Sequence, residues 1–149
     1  MKVCPTNALQ PTLFEAGTEW MFSPRVVPRI GYCEYNCTLC GELCPTGAIH
    51  RLPLVKKQWT VIGKAAFDKS RCLPYAKATN CGVCEEHCPI PDKAIRFHET
   101  ETRTELGEKV AVKQPYVELD LCIGCGTCEN KCPLTGPAAV RVSRPEVAA

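Results

Sequence analysis

Apolar residues are scarcer in this chain than they first look. The hydrophobic fraction is 45% of 149 residues, but 13 of those residues are cysteine. Without them roughly 36% remains, against about 45–50% in an ordinary globular chain. Aromatic residues make up only 7%. A core this thin needs something besides side-chain burial at its centre. Charge of one sign is lacking too: 18 basic and 16 acidic residues leave +2, which does not indicate a nucleic-acid-binding field. No apolar run approaches the roughly 18 residues of a membrane helix, and Met1-Lys2-Val3-Cys4-Pro5 does not read as a signal peptide. Neither a signal nor a transmembrane segment is therefore expected in this chain. No glycine-rich phosphate loop, activated nucleophile or paired carboxylates stand out, so no catalytic residue and no small-molecule substrate is expected.

Cysteine is what the chain has in excess, at about 9%, the range in which it becomes a scaffold. The odd count argues against a closed disulfide framework. The length allows one domain or two very small ones, and 13 prolines and 10 glycines make it rich in turns.

The cysteines form a repeat. Four precede proline, at Cys4, Cys44, Cys88 and Cys132, separated by 40, 44 and 44 residues. Each is followed by a small-then-aliphatic pair: Ala8-Leu9, Ala48-Ile49, Ala94-Ile95 and Ala139-Val140. Three carry three more cysteines ahead of them. The sets are Cys33-x3-Cys37-x2-Cys40-x3-Cys44, the stretched Cys72-x8-Cys81-x2-Cys84-x3-Cys88, and Cys122-x2-Cys125-x2-Cys128-x3-Cys132.

The last is the bacterial iron–sulfur spacing, in which the fourth cysteine serves the other cluster of a pair. Three thiolates on one tight loop reach three irons of a cubane, and the fourth leaves the loop. Proline after it fixes φ for the exit. Gly82, Gly124 and Gly126 let the backbone N–H groups approach the cluster sulfurs. All thirteen cysteines are thus candidate ligands: Cys4, Cys33, Cys37, Cys40, Cys44, Cys72, Cys81, Cys84, Cys88, Cys122, Cys125, Cys128 and Cys132. A zinc module is the competing reading, but zinc sites usually take cysteines as two pairs closing one tetrahedron. Over eight residues, Cys33 to Cys40 also matches the loop of radical S-adenosylmethionine enzymes. Those usually carry an aromatic residue where Leu39 stands, and need a barrel longer than this chain. An enzyme with an open-iron cluster is therefore the lesser alternative.

The spacers alternate well enough for half-buried strands. Strands are expected at residues 26–30, 64–68 and 116–120 before the loops, and at 48–52 and 94–98 after them. Short helices are expected near Cys40–Leu43, Cys84–His87 and Cys128–Lys131. Residues 98–109 read as a solvated hairpin tip and 143–149 as a flexible tail. The segment from Gln10 to Pro28, with Phe14, Trp20 and Phe22, reads as a wrap over the cluster region. His87 reads as a surface or capping residue; Tyr32, Tyr75 and Trp59 read as packing residues. The fold class expected is α+β, with tandem or nested bacterial ferredoxin-like repeats and short hairpins and helices around Fe–S clusters. Its divisions are residues 1–25 (the tail of a truncated first repeat plus wrap), 26–142 (the repeats) and 143–149.

Nearly the whole chain resembles the multi-cluster ferredoxin-type proteins of periplasmic nitrate reductase and methylamine dehydrogenase systems. These are related to the electron-transfer β-subunits of the dimethyl sulfoxide reductase family. The residues that carry the likeness run from Cys33 to Ile49, from Cys72 to Pro89 through the stretched motif, and from Cys122 to Cys128. The resemblance implies four [4Fe–4S] clusters and electron transfer between a membrane quinol-oxidising subunit and a terminal oxidoreductase. It also implies a bacterial, membrane-associated setting on the cytoplasmic or periplasmic face. Against that pattern the first three ligands of repeat one are missing, so the chain reads as a C-terminal fragment. Three complete clusters are expected in it and a fourth in the full-length protein. With about −2 per oxidised cluster and its thiolates, three would take the net charge from +2 to about −4.

The pairing stays open between two schemes. Adjacent pairing joins Cys33, Cys37 and Cys40 to Cys4, the Cys72 set to Cys132 and the Cys122 set to Cys88, leaving Cys44 as the orphan. Nested pairing, as in the reductase β-subunits, joins the same sets to Cys88, Cys44 and Cys4, leaving Cys132. Nesting is favoured, because residues 26–98 already hold enough strands and loops for one ferredoxin unit.

Overall fold

In the computed structural model the described residues are 1–14, 17–103 and 109–144. Three two-stranded antiparallel sheets organise them. The first pairs β1 (Leu9–Pro11) with β2 (Pro24–Val26), Leu9 opposite Val26. Between this sheet and the next lie the short helices α1 (Leu39–Glu42) and α2 (Leu54–Trp59). The second sheet pairs β3 (Lys64–Phe67) with β6 (Val140–Ser143), with Phe67 opposite Val140. The third pairs β4 (Ile95–Arg103) with β5 (Lys109–Val117), with Ile95 opposite Val117. Helices α3 (Leu73–Ala76), α4 (Val83–Glu86) and α5 (Thr127–Lys131) complete the fold.

A mixed α+β architecture of short elements is thus what the chain adopts. The helices follow the cysteine loops as expected, at α1, α4 and α5. The long β4–β5 ladder runs out to Arg103 and Lys109; the tip between them, like the tail from residue 145, lies outside the described residues. Residues 48–52 do not form the expected strand, and of 26–30 only Val26 is in one. Two helices went unforeseen. In α2, Pro53 at the N-cap (φ −58°) sets the start, and in α3 a proline in the first turn does the same.

The core is built around residues 64–143. Ala65, Ile95, Val140, Ala94 and Ala139 are nearly inaccessible, and the cysteines Cys72, Cys122, Cys125, Cys128 and Cys132 are buried with them. Strands β3 to β6 therefore close on one another, β3 with β6 and β4 with β5. The expectation that residues 26–98 close on themselves is corrected: β3 and β4 each find their partner strand after residue 98.

Candidate metal centres

Three of the four Cys-Pro exits behave alike. After Cys4, Cys88 and Cys132 the chain reaches a buried alanine: Ala8, Ala94 and Ala139 are 1%, 1% and 3% exposed. In each case the strand leading into a cysteine loop donates a backbone N–H to that alanine's carbonyl. Val27 donates to Ala8 at 2.8 Å, Glu118 to Ala94 at 2.7 Å and Asp68 to Ala139 at 2.6 Å. This decides which exit meets which loop. Strand β2 leads to Cys33, β5 to Cys122 and β3 to Cys72, so each exit is fastened beside one loop. Ala48, the fourth of the set, is exposed and receives no such strand.

The sulfurs follow the backbone. Cys4, Cys33, Cys37 and Cys40 line one cavity of about 50 Å³, with Leu9 and Val26 of the first sheet covering it. Cys88, Cys122, Cys125 and Cys128 line a second, and Cys88 and Cys122 both act electrostatically on Cys125. Cys132 and Cys81 act on both Cys72 and Cys84. The juxtaposition is that of adjacent pairing. Nested pairing, which would bring Cys44 to the Cys72 loop and leave Cys132 alone, is not found. The antiparallel β3–β6 pair carries the Cys132 exit to the Cys72 loop instead, and Arg71 reinforces it through the Pro137 carbonyl at 2.9 Å.

Electrostatics show what these groups lack. Burial pushes the Cys72 thiol up to about 11, with Cys81 and Cys132 adding to it. Burial and then Cys132 push Cys84 up to about 12. Burial and then Cys84 raise Cys128 further, and burial raises Cys125 despite the Thr127 hydroxyl. Four thiolates gathered away from water repel one another and need positive charge among them. All thirteen cysteines are free thiols. Among the described residues, no three His, Cys, Asp or Glu side chains are gathered as one metal ion would require. Three thiols on one loop with a fourth from a separate exit, as around the two cavities, suit a cluster whose four irons each take one thiolate better than a zinc tetrahedron closed by two pairs.

Cys4 and Cys44 share a second design. Cys4-Pro5-Thr6-Asn7-Ala8-Leu9 and Cys44-Pro45-Thr46-Gly47-Ala48-Ile49 both turn through a left-handed residue, Asn7 at φ 58° and Gly47 at φ 68°. Burial opposes ionisation of Cys4, but the Thr6 hydroxyl and the N–H groups of Leu9, Ala8 and Thr6 together bring it below the ordinary thiol value. At Cys44 the Ile49 N–H, 3.4 Å from Sγ, leads the Thr46 hydroxyl in lowering the thiol to about 7. Cys44 is thus furnished as Cys4 is, yet stands apart from the other sulfurs.

Sequence reasoning missed the basic side chains that brace these loops. Lys64 donates to the Leu119 and Cys122 carbonyls. Lys93 bridges those of Glu85, Glu86 and Cys88 at 3.0–3.1 Å. Arg29 spans Glu129, Cys132 and Leu134, and Lys57 holds Glu34 and Tyr35. Nothing in the spacing of lysines and arginines marks them. Their targets are carbonyls up to 105 residues away.

The other side chains sort as follows. His87 contacts the Val83 carbonyl at 3.1 Å through Nδ1, a capping contact at the end of α4. Tyr75 donates to the Pro115 carbonyl at 2.9 Å. Trp59 is 72% exposed, so it is not the packing residue expected. Phe14, Trp20 and Phe22 are exposed too; the cover over the first cavity comes from Leu9 and Val26.

The first loop is joined to the ferredoxin-like unit by backbone contact. Cys33 N–H donates to Cys125 C=O at 2.7 Å and Ile62 N–H to Ile123 C=O at 2.9 Å. Two glycines permit this approach. A Cβ on Gly124 (φ +73°) would lie 2.3 Å from the Gly63 backbone, and one on Gly126 (φ +85°) 2.9 Å from Pro28.

Comparison with known proteins agrees with the site. Residues 77–135 match the 4Fe-4S dicluster domain. The "Methylamine utilization ferredoxin-type protein MauM" of Methylophilus methylotrophus is 31% identical over 100 residues, covering 64% of this chain and 42% of that protein. The "Ferredoxin-type protein NapG" of Escherichia coli (strain K12) is 34% identical over 140 residues, 93% of this chain and 58% of that protein. That of Haemophilus influenzae is 33% identical over 109 residues, 72% of this chain and 36% of that protein. The chain therefore spans about half the length of the curated relatives it matches. No solved structure matches it. Thirteen cysteines in ferredoxin spacing, a matched dicluster domain and these relatives make the chain a multi-cluster 4Fe–4S ferredoxin-type protein.

Proposed function

We propose that this chain transfers electrons and does no chemistry on a substrate of its own. It would hold three [4Fe–4S] clusters. The ligand sets are Cys4 with Cys33, Cys37 and Cys40; Cys132 with Cys72, Cys81 and Cys84; and Cys88 with Cys122, Cys125 and Cys128. When bound, each cluster supplies reversible one-electron oxidation and reduction. The chain's part is to bury the thiolates, offer N–H groups to sulfur and fix the loops at constant separation. The observation that carries this reading is the fastening of three of the four Cys-Pro exits, each beside a different loop, through Ala8, Ala94 and Ala139. It supports one fourth sulfur for every three-cysteine loop. Cys44, with its own set of amide donors, is suited to a further cluster whose remaining ligands are not among these 149 residues.

The partners are other redox proteins. Among the described residues, every exposed large apolar side chain except Leu119 lies within residues 1–62, including Phe14, Leu43, Val55 and Trp59. Apolar exposure gathered in one stretch of the chain is suited to contact with a partner. The resemblance read in the sequence implies a membrane quinol-oxidising subunit and a terminal oxidoreductase as those partners, in a bacterial membrane-linked respiratory complex. No helix among the described residues is long and apolar enough to cross a membrane.

The test is anaerobic reconstitution followed by analysis of iron, sulfide and zinc. About twelve iron and twelve sulfide per chain are expected, with a broad absorbance near about 400 nm that dithionite bleaches. Zinc without sulfide would overturn the reading.

A further inference from the structure

Helix α2 lies against the first cysteine loop and grips it with two side chains. Gln58 Nε2 donates to Asn36 Oδ1 at 2.9 Å. Lys57 Nζ donates to the carbonyls of Glu34 and Tyr35, the latter at 3.0 Å. Lys57 is half-buried and meets no carboxylate among the described residues, so its charge is not cancelled by a neighbour. It also lines one cavity together with Cys33, Cys37 and Cys40. Burial raises the Cys33 thiol, and the leading opposing influence is the charge of Lys57, with a hydrogen bond from the same group. No cation is a principal cause at Cys4, Cys44, Cys72, Cys84, Cys125 or Cys128. The other bracing cations, Arg29, Lys64 and Lys93, stop at carbonyl oxygens.

We propose that Lys57 is the tuning residue of the Cys4, Cys33, Cys37 and Cys40 site, and that its ammonium, fixed on the Glu34 and Tyr35 carbonyls, raises the reduction potential of the cluster held there. This rests on the electron-transfer reading above. Reduction adds one negative charge beside Cys33. A fixed positive charge favours the more negative state, and more strongly in a half-buried site than in water. Lys57 acts through charge and position and touches no substrate, so it is a positioning residue.

The experiment is a potentiometric titration of the reconstituted chain, followed by electron paramagnetic resonance. Cys4→Ser identifies the midpoint that belongs to this site. Lys57→Gln keeps an N–H donor and removes the charge; Lys57→Arg keeps the charge. The glutamine variant should retain the iron content and lower that one midpoint by about 59 mV, which is a tenfold fall in the ratio of reduced to oxidised cluster at a fixed potential. The arginine variant should stay near wild type. Unchanged midpoints, an equal shift at all sites, or an equal shift in both variants would overturn the proposal. If the glutamine variant sheds this cluster, Nε-acetyllysine at position 57 repeats the test with the full side-chain length. Loss from both neutral forms would make the role structural and end the proposal. A wild-type chain that takes up no sulfide fails the electron-transfer reading itself, a different result from clusters that load and do not shift.

Discussion

The backbone N–H of Cys33 donates to the carbonyl of Cys125 across 2.7 Å. Residues in two different candidate cluster loops are thus joined by one hydrogen bond. The contact brings the loop covered by the first sheet against the ferredoxin-like unit, and the electron-transfer reading depends on that spacing being fixed.

The pairing of exits with loops is the most direct point to test. Cys132→Ser is expected to cost up to four of about twelve irons and to remove the signal of the Cys72 site alone. Cys88→Ser should do the same to the Cys122 site. Cys44→Ser should leave the iron content of this chain unchanged. Nested pairing demands the reverse, with Cys44→Ser lossy and Cys132→Ser silent. Iron analysis of the reconstituted variants separates the two.

Gly124 and Gly136 both hold left-handed backbone, at φ +73° and +74°. A Cβ on Gly136 meets nothing within 4 Å, whereas one on Gly124 meets Gly63 at 2.3 Å. Gly136→Ala is expected to cost about 1 kcal/mol, the conformational penalty alone. Gly124→Ala should cost about 3 kcal/mol or more, because the Gly63 backbone must move as well. Thermal unfolding of the loaded protein measures both, and equal losses would show that the close approach contributes nothing.

Arg29 ties the segment before Cys33 to the end of α5, through Glu129 at 3.1 Å and Cys132 at 3.3 Å. The side chain is exposed, which limits its contribution. Arg29→Ala should destabilise by about 1 kcal/mol while each cluster still loads. Weaker magnetic coupling between the Cys33 and Cys125 sites should accompany it. Unfolding and the paramagnetic spectrum check the two effects separately.

Assembly should release protons. Cys72 and Cys84 are raised from 9.0 to about 11 and about 12, chiefly by burial. Both are therefore protonated thiols at neutral pH in the absence of iron. Raised thiol values favour the metal-free fold below about pH 9, and this advantage is lost as pH climbs through 11 to 12. Ligation runs the other way: each of these sulfurs gives up one proton when it binds iron. Acid opposes loading by about 1.4 kcal/mol per pH unit for each proton released. Proton release during reconstitution near pH 7, measured in weak buffer, should approach one per ligand cysteine. Release well below that would mean that the thiolates exist beforehand.

Much of this site was legible one cysteine at a time. The loop helices α4 and α5 and the positions of β3 and β4 followed from short-range pattern. The small residue after each Cys-Pro exit was visible as well, though its use was not. Ala8, Ala94 and Ala139 are small because an incoming strand covers their backbone, and Ala48 shows that the same residue without that strand stays exposed. The strand expected at 26–30 ends at Val26, where its partner β1 begins at Leu9, and the one expected at 48–52 does not form. Alternation predicts a half-buried strand only where a partner strand exists, and residues 48–52 have none among the described residues. Lys57, Lys64, Lys93 and Arg29 left no trace in the pattern, because a cation that serves backbone carbonyls can sit at almost any sequence distance from them.

By itself the sequence determined the candidate ligands and the class of cofactor they suit. Both depend on how many residues separate one thiol from the next within a loop, which is local geometry. Only the tertiary structure decided which fourth sulfur meets which loop. That choice depends on β3 finding β6, its partner far along the chain, and on β4 finding β5. The pairings bury Ala94, Ala139 and Val140, a sum over distant residues that no single cysteine loop contains.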